Sequence, residues 1–427
     1  MNTRPLPIRW KVSIFLLLIT TINYIDRLTF SILAPIINKE FDFSNTDYGN
    51  LSAGFLFAYA FGQLFGGRLI DILGTKRALT LAVALWSIAG ILHAFGQGFR
   101  SFFLFRVLLG IGEAANFPAA NKAIAEWFPS NERSLAVGIV TAGPGLGSIL
   151  APPVVAALVV TLNWQWAFIV TGLAGFIWLW FWHRYYYAPE DHPELLESKH
   201  AAKLQEPSTD DQPRKSWIDF LYYRETWGLI LSRFFADGAF YFLIFWLPLY
   251  LSTERGMDIR SIGMFAWIPF VAADLGSLAG GWTGKKLIDL GLSLNAARKV
   301  VIWIGALLAL AVFPAANTES ISMFIFLVCV GLFGIQFKSS NMFALPADMF
   351  DAKEVATIWG IFGAAGSLGG ALFQTQVGIL IDTFSYHPVF AAVACMHIIS
   401  ALAVMIFIPK AERLGSRINK RSTMKQS

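Results

Sequence analysis

The chain has 427 residues, of which 56% are hydrophobic and only 14% are charged. A soluble domain usually carries about 25% charged residues, so this composition excludes a disordered protein, a disulfide-rich scaffold and an ordinary soluble enzyme. The apolar residues exceed what one globular core needs, and we expect the surplus to face lipid. The net charge of +5 then indicates cytoplasmic loops of a membrane protein rather than a nucleic-acid partner.

Twelve stretches are long and apolar enough for membrane-spanning helices of about 20 residues. The predicted spans are 11–36, 47–70, 77–97, 101–127, 134–158 and 164–187, then 227–251, 261–287, 298–317, 320–345, 354–380 and 386–409. We therefore predict an all-α membrane protein with two six-helix bundles, over 1–187 and 227–410. A cytoplasmic linker over 188–226 joins them, with a short amphipathic helix expected around 195–204, and 411–427 form a tail.

The loops predict the orientation of the chain. Lys and Arg cluster before the first span, after the second and eighth spans, in the linker and in the tail, whereas the opposite loops carry few. Because cytoplasmic loops are enriched in these residues, we expect both termini in the cytoplasm. The first span should be retained, since Asp26 and Arg27 interrupt what would be the core of a signal peptide.

The two halves share a glycine-rich pattern. Glu132 precedes Gly147 at the same spacing as Glu354 precedes Gly369, so the fifth span matches the eleventh. Parallel repeats of this kind are typical of transporters whose site lies between the halves at mid-membrane. The alternative is a chance likeness between helices rich in small residues.

The loop between the second and third spans runs from Gly67 to Arg77 and contains Asp71 and Gly74. Glycine permits a tight turn, and Asp71 can cap or pair at a helix end. The loop resembles the signature loop of the major facilitator superfamily, which serves conformational switching in that family. The resemblance implies the major facilitator fold and a gating role for Gly67, Asp71, Gly74 and Arg77; a generic charged turn is the alternative.

Ionisable residues at membrane depth are costly and are therefore functional candidates. Asp26 and Arg27 lie near the middle of the first span. The fourth span contains Arg106, Glu113 and Asn116, whose spacing keeps them on roughly one helical face. We expect these residues to line a central cavity, where a guanidinium can bind a substrate carboxylate through two hydrogen bonds.

Two segments, Asn23–Arg27 and Arg106–Ala114, resemble the anion:cation symporter family of that superfamily, whose bacterial members take up organic acids with protons. Three segments of the second half, Arg233–Asp237, Phe245–Pro248 and Met264–Gly276, resemble its hexuronate-transporter branch. The resemblance covers most of the chain.

The resemblance assigns proton carriage to Asp26 and Glu113. Arg27 is the first candidate for binding the substrate carboxylate, while Arg106 either assists in this binding or keeps Glu113 ionised. A purely structural role for Asp26 and Arg27 is the alternative. Further candidates for sugar contacts are Tyr24, Tyr59, Asn116, Trp246, Asn341, Ser367 and Gln374. For the polar members of this set, a helix–helix hydrogen bond is an equally good interpretation.

Four more ionisable residues lie in the second half. Arg233 and Asp237, at i and i+4 in the seventh span, are spaced for an intrahelical pair. Asp274 and Lys338 lie at membrane depth in the eighth and tenth spans. Each of the four either tunes selectivity or stabilises the second half.

The sequence lacks the motifs that are typical of enzymes and metal-binding proteins. We find no phosphate-binding loop, nucleophile elbow or metal-spaced cluster of His and Cys, and we expect no enzymatic activity, metal or cofactor. Cys329 and Cys395 lie in apolar runs and should be small buried hydrophobes.

Together with the resemblance, the sequence predicts a monomeric symporter in the lipid bilayer of a bacterial inner membrane that couples protons to a small organic anion. Hexuronates such as galacturonate or glucuronate are the favoured substrates, and no nucleic-acid partner is expected. Symport of an aldonate or a glucarate-like diacid and, in a different class, a membrane sensor that does not transport are the alternatives. Sodium coupling also stays open.

Overall fold

The computed structural model describes residues 8–186 and 217–414, and all regular structure in these two ranges is helical. Twelve of the helices are long and apolar enough to cross a membrane. The first six are α1 (Ile8–Glu40), α2 (Asn45–Leu73), α3 (Thr75–Leu92, extended by the turn His93–Phe95), α4 (Phe99–Ala114 and Asn116–Trp127), α5 (Ser130–Thr141 and Gly143–Thr161) and α6 (Trp164–Tyr185). The second six are α7 (Arg224–Thr253), α8 (Ile259–Phe265 and Ile268–Asp289), α9 (Leu294–Ala309 and Val312–Ala315), α10 (Ile321–Met342 and Leu345–Met349), α11 (Ala352–Thr383) and α12 (His387–Phe407).

The prediction of twelve spans in two sets of six is confirmed. A short helix, Trp217–Phe220, precedes α7. The predicted linker helix around 195–204 and the tail beyond 414 lie outside the described residues, so the proposed domain boundaries stay predictions. We call the end of the bundle where α6 ends and α7 begins the linker end, and the opposite end the distal end.

The two halves repeat the same packing. The helix α1 packs on α5 as α7 packs on α11, and α2 packs on α4 as α8 packs on α10. Gly147 of α5 lies against the backbone of α1 at Thr21, while Gly369 of α11 lies against the backbone of α7 at Phe234. Glycines at matching positions therefore let the same pair of helices approach closely in both halves.

Replacing Gly147 with alanine is expected to destabilise the protein by about 1–3 kcal/mol, the usual cost of overpacking. A Cβ at this position would overlap the carbonyl oxygen of Thr21 and the Cβ of Tyr24, both on α1. The control is Gly138→Ala, since no atom lies within 4 Å of a Cβ there and alanine favours a helix by up to about 1 kcal/mol. Thermal unfolding in detergent measures both; equal unfolding temperatures for the wild type and Gly147→Ala would contradict the close packing.

Both cysteines are free, but the expectation that they are buried is wrong. Cys329 is partly exposed and Cys395 is exposed. They lie in apolar runs because a spanning helix needs apolar residues on its outer face as well as in its core.

The most extensive contacts between the halves are those of α1 with α7, α2 with α11 and α5 with α8. Near the distal end, the Tyr48 hydroxyl of α2 donates to the carbonyl oxygen of Phe245 on α7 at 2.6 Å. Further along α2, the Ser367 hydroxyl of α11 donates to Oε1 of Gln63 at 3.3 Å. Contacts between α2 and the second half thus extend about 27 Å from the distal end, at 1.5 Å per helical residue. The distal end is closed in this conformation.

Asp382, near the end of α11, forms hydrogen bonds between the two halves at the closed distal end. Its carboxylate accepts four hydrogen bonds from the first turn of α2: from Asn45 N at 3.2 Å, Asn45 Nδ2 at 2.9 Å, Thr46 N at 2.8 Å and Thr46 Oγ1 at 2.6 Å. The first N–H groups of a helix lack intrahelical partners, and a negative charge is favourable there. Asp382 of the second half therefore caps a helix of the first half. We call Asp382, Asn45 and Thr46 the distal latch.

Replacing Asp382 with asparagine is expected to shift the protein towards a conformation that is open at the distal end. The variant loses the anionic acceptor, and at this exposed site we expect an effect of about 1 kcal/mol, or about fivefold in the populations. A cysteine replacing Leu56, which lies against Gly370 of α11, reports opening through its maleimide labelling rate in a Cys329→Ser, Cys395→Ser background.

The matched control for the latch is Asp47→Asn. Asp47 lies in the same turn of α2, but its carboxylate accepts from Ser44 within the first half. Labelling in this control should follow the unmodified background. If Asp382→Asn is also labelled at that background rate, the latch does not hold the distal end closed.

Candidate functional site

A buried ion pair joins α1 and α4 in the first half. Arg27 Nε donates to Glu113 Oε2 at 2.8 Å, and Arg27 Nη2 lies 2.8 Å from the same oxygen. The two side chains are 1% and 0% exposed. Breaking such a pair by removing one partner costs about 3–5 kcal/mol because the other charge stays buried. The pair is therefore either kept intact or exchanged for an equivalent partner.

Aromatic rings surround the guanidinium of Arg27. Its Cζ lies 4.5 Å from the ring centre of Tyr24, 4.6 Å from that of Tyr59 and 5.1 Å from that of Phe55. Ring faces stabilise a cation while leaving the in-plane N–H groups free for an anion. Tyr24 and Tyr59, both predicted from sequence, thus lie beside the predicted anion-binding group.

Arg106 also lies over the ring of Phe55. Its Cζ is 4.3 Å from the Phe55 ring centre, 4.9 Å from that of Phe30 and 5.8 Å from that of Phe245, which belongs to the second half. Arg106 is fully buried, and within the described part of the chain none of its three guanidinium nitrogens has a hydrogen-bond partner. Arg27, rather than Arg106, holds Glu113.

Asp26 points away from its neighbour Arg27, as expected for residues about 100° apart on a helix. It is buried and faces Thr171 of α6, inside the first half. Neither carboxylate oxygen has a hydrogen-bond partner among the described residues. The structure therefore brings Arg27 and Glu113 together at the site but places Asp26 behind them.

Two predicted asparagines bind neighbouring helices. Asn116 Nδ2 donates to Thr20 Oγ1 of α1 at 3.2 Å. Asn341 Nδ2 donates to the carbonyl oxygen of Gly280 in α8 at 2.8 Å, and its Oδ1 accepts from Arg298 of α9 at 3.0 Å. Asn341 is thus part of a hydrogen-bond network inside the second half.

Three other predicted contacts lie in the layer that closes the distal half of the bundle. Trp246 is fully buried, donates through Nε1 to Gln374 Oε1, and packs edge-on against Tyr48 across the halves with ring centres 4.8 Å apart. Ser367 binds Gln63 across the same boundary. Trp246 would have to separate from Tyr48, and Ser367 from Gln63, before the distal end could open.

A second ion pair lies on α7. Arg233 Nε is 2.7 Å from Asp237 Oδ2, and the side chains keep 17% and 12% of their surface exposed. The guanidinium lies over Phe343 and Phe362 at 4.3 and 4.6 Å. Both side chains lie against Gly366 of α11, next to Ser367, which contacts Gln63 of the first half. The pair therefore lies near the boundary between the halves, and it is more exposed than the ion pair of the first half.

Asp274 of α8 also lies at the boundary, where its carboxylate packs against Gly145 of α5. Gly145 and Ser367 are related by the same offset as Gly147 and Gly369, and each contacts the opposite half. Asp274 therefore belongs to the contact between the halves. Lys338 lies elsewhere, buried inside the second half.

The segment predicted as the signature loop lies at the linker end, but Gly74 is its only non-helical residue, because α2 continues to Leu73 and α3 begins at Thr75. Asp71 accepts from Lys122 of α4 at 2.8 Å. Gly74 separates α2 from α3 with φ of 76°, a conformation that favours glycine. Arg77 is exposed, and no atom lies within 4 Å of a Cβ built on Gly67. In this conformation, Asp71 thus bonds to its own half.

Four residues of interest were not predicted: Phe55, Gln63, Tyr241 and Asp382. Gln63 could have been predicted from the sequence, since a polar side chain well inside a span is a functional candidate. Tyr241 of α7 interacts electrostatically with Arg27 across the boundary. An aromatic residue in a span gives no such signal, because most face lipid or the core.

The sequence profile of the Major Facilitator Superfamily matches residues 16–374 and 290–425. This chain belongs to the Major Facilitator Superfamily. It is 32% identical over 402 residues to the hexuronate transporter of Escherichia coli K12, covering 93% of each chain. It is 28% identical to the D-galactonate transporter of Escherichia coli O6:H1 over 95% of this chain and 97% of that one. The resemblance seen in the sequence is confirmed, and the protein is a multi-pass membrane protein.

Solved structures show the same fold. A D-xylose-proton symporter superposes with a TM-score of 0.76 at 18% identity, over 95% of this chain and 99% of that one. A bacterial homolog of the human lysosomal transporter Spinster, inward-facing and unoccupied, superposes with a TM-score of 0.73 at 19% identity, over 95% and 96% of the two chains. The predicted major facilitator fold is thereby confirmed.

Proposed function

We propose that this protein is a proton-coupled symporter for sugar acids, with hexuronates such as galacturonate and glucuronate as its substrates. The buried Arg27–Glu113 pair is the observation that carries this proposal. The similarity to a hexuronate transporter over 93% of the chain supports the substrate class. In the orientation predicted by the loop charges, the linker end faces the cytoplasm and the distal end faces outward.

Competition for Arg27 would couple the proton to the substrate. Ionised Glu113 occupies Nε and Nη2 of the guanidinium, one of the edges at which a substrate carboxylate binds bidentately. A proton on Glu113 removes its charge and frees that edge. Protonation then favours substrate binding, and substrate binding favours protonation to the same extent.

Alternating access would follow from rocking of the two halves around this site. In the conformation described here, the distal latch and the Tyr48–Phe245 hydrogen bond close the outer side. Asp26, buried behind Arg27, is our second candidate for proton carriage. Tyr24 and Tyr59 would contact sugar hydroxyls while lying over the guanidinium.

One observation favours a second candidate substrate, a glucarate-like diacid. A second carboxylate needs a second cation, and Arg233 lies partly exposed on the opposite side of the boundary. A probable galactarate/D-glucarate transporter of Escherichia coli K12 is 27% identical over 95% of this chain and 96% of that one. Uptake of glucarate in preference to galacturonate would support this alternative.

Uptake of labelled galacturonate into proteoliposomes tests the proposal. Accumulation should require an inward proton gradient and should vanish when a protonophore is added. Accumulation that persists without the gradient, or that follows a sodium gradient instead, would contradict proton symport. A protein that binds hexuronate but never moves it would favour a sensor.

A further inference from the structure

Lys338 lies inside the second half and is fully buried. Its Nζ donates to Ser400 Oγ at 2.8 Å and lies 3.3 Å from His397 Nδ1, both on α12. Ser400 in turn donates to the carbonyl oxygen of Ser232 on α7 at 2.6 Å. We call Lys338, His397 and Ser400 the Lys338 cluster; it joins α7, α10 and α12 within an apolar bundle.

The partners of Lys338 are neutral or basic. Among the residues that the structure describes, none of the salt bridges includes its ammonium, which meets only a hydroxyl and an imidazole. An unpaired charge at membrane depth is costly. A second proton, on His397, would place two cations 3.3 Å apart. The pair therefore accommodates one proton but not two.

The surroundings leave Asp237 as the anion that acts on Lys338. Asp237 of α7 interacts electrostatically with Lys338, but its own carboxylate is bound to Arg233. On α9, the group packed against Lys338 is Gly305, which cannot titrate, and Arg298 of that helix is paired with Asp348. On α12, the titratable neighbour is His397.

We propose that Lys338 and His397 share one exchangeable proton and form a proton-binding site of the second half, separate from Asp26 and Glu113. Its role in transport rests on the proposed function. An anion that draws Arg233 away from Asp237 would leave that carboxylate free to balance a charge on Lys338. Substrate at the boundary would thereby favour the proton in the second half.

Proton counting on the purified full chain in detergent tests the site without any transport. We expect the wild type to release one proton more than the double variant Lys338→Met, His397→Leu between about pH 5 and about pH 9, a range that spans the ordinary titration of histidine. Each single variant keeps one base at the site, so neither should release more protons than the wild type does. Lys286→Met, which removes an exposed lysine of α8, should leave the count unchanged.

Equal proton counts for the wild type and the double variant would overturn the proposal, because the pair would then keep one protonation state throughout. If the double variant does not fold, Lys338→Arg gives the same test, since arginine does not release its proton in this range and its fixed charge keeps the adjacent His397 neutral. Thermal unfolding of each variant shows that the counted protein is folded.

Transport then tests the coupling. In proteoliposomes, the double variant should exchange galacturonate but show a weaker dependence of uptake on pH than the wild type. An unchanged pH profile together with a lost proton would refute the coupling to transport and leave the site in place. If the wild type moves no hexuronate at all, the proposed function fails, and the proton count still decides the site.

Discussion

Replacing Arg27 with alanine is expected to weaken galacturonate binding by at least about 30-fold. Truncating one partner of a buried, hydrogen-bonded charge pair costs about 2 kcal/mol or more, and Arg27 lies among rings that position its guanidinium without consuming its N–H groups. Isothermal titration in detergent, or the half-saturation of exchange in proteoliposomes, measures the loss.

The folding of this variant needs its own control. Alanine at position 27 leaves Glu113 buried and unpaired, at about 3–5 kcal/mol. The double variant Arg27→Ala, Glu113→Gln removes that charge and should fold better while still lacking the guanidinium. Arg9→Ala removes a partly exposed arginine that pairs with Glu132, and it should bind as the wild type does. Wild-type affinity in the double variant would reassign the carboxylate to Arg106.

Replacing Glu113 with glutamine is expected to separate two activities that are joined in the wild type. Glutamine carries no charge and no exchangeable carboxyl proton, so Arg27 stays available to substrate at every pH. Exchange of internal and external galacturonate should continue, whereas accumulation driven by a proton gradient should be lost. In the wild type, affinity should rise as the pH falls, because protonation of Glu113 frees Arg27; in the variant, this contribution should disappear.

Glu126→Gln is the matched control, since Glu126 also belongs to α4 but accepts from Thr75 near the linker end. It should accumulate substrate as the wild type does. Wild-type accumulation by Glu113→Gln would remove Glu113 from proton carriage and leave Asp26 as the remaining carboxyl group of the first half.

Span number and repeat were predictable because hydropathy and glycine spacing are properties of local sequence. The offset that relates Gly147 to Gly369 could be read directly, and both glycines pack against the equivalent helix. The helical spacing of Arg106, Glu113 and Asn116 also placed two charged residues and one polar residue on one face of α4.

Pairing between distant residues was not predictable in the same way. Glu113 binds Arg27 of α1, although Arg106 lies on the same helix as Glu113. The approach of α1 to α4 and the packing of both guanidinium groups on the ring of Phe55 decide which arginine reaches the carboxylate. The sequence likewise showed His397 as one of six scattered histidines. Its neighbour Lys338 is 59 residues away in the chain.

The ring of Phe245 connects the closed distal end with the cations of the first half. Its backbone carbonyl accepts from Tyr48, and its ring lies 5.8 Å from Arg106. In the proposed alternating access, opening of the distal end would move this ring away from Arg106, and the attraction of Arg106 for an anion would change with the dielectric around it. By thermodynamic reciprocity, the factor by which opening changes anion affinity is also the factor by which a bound anion shifts the opening equilibrium. Phe245 would thus link anion binding at Arg106 to the opening of the distal end through a single coupling free energy.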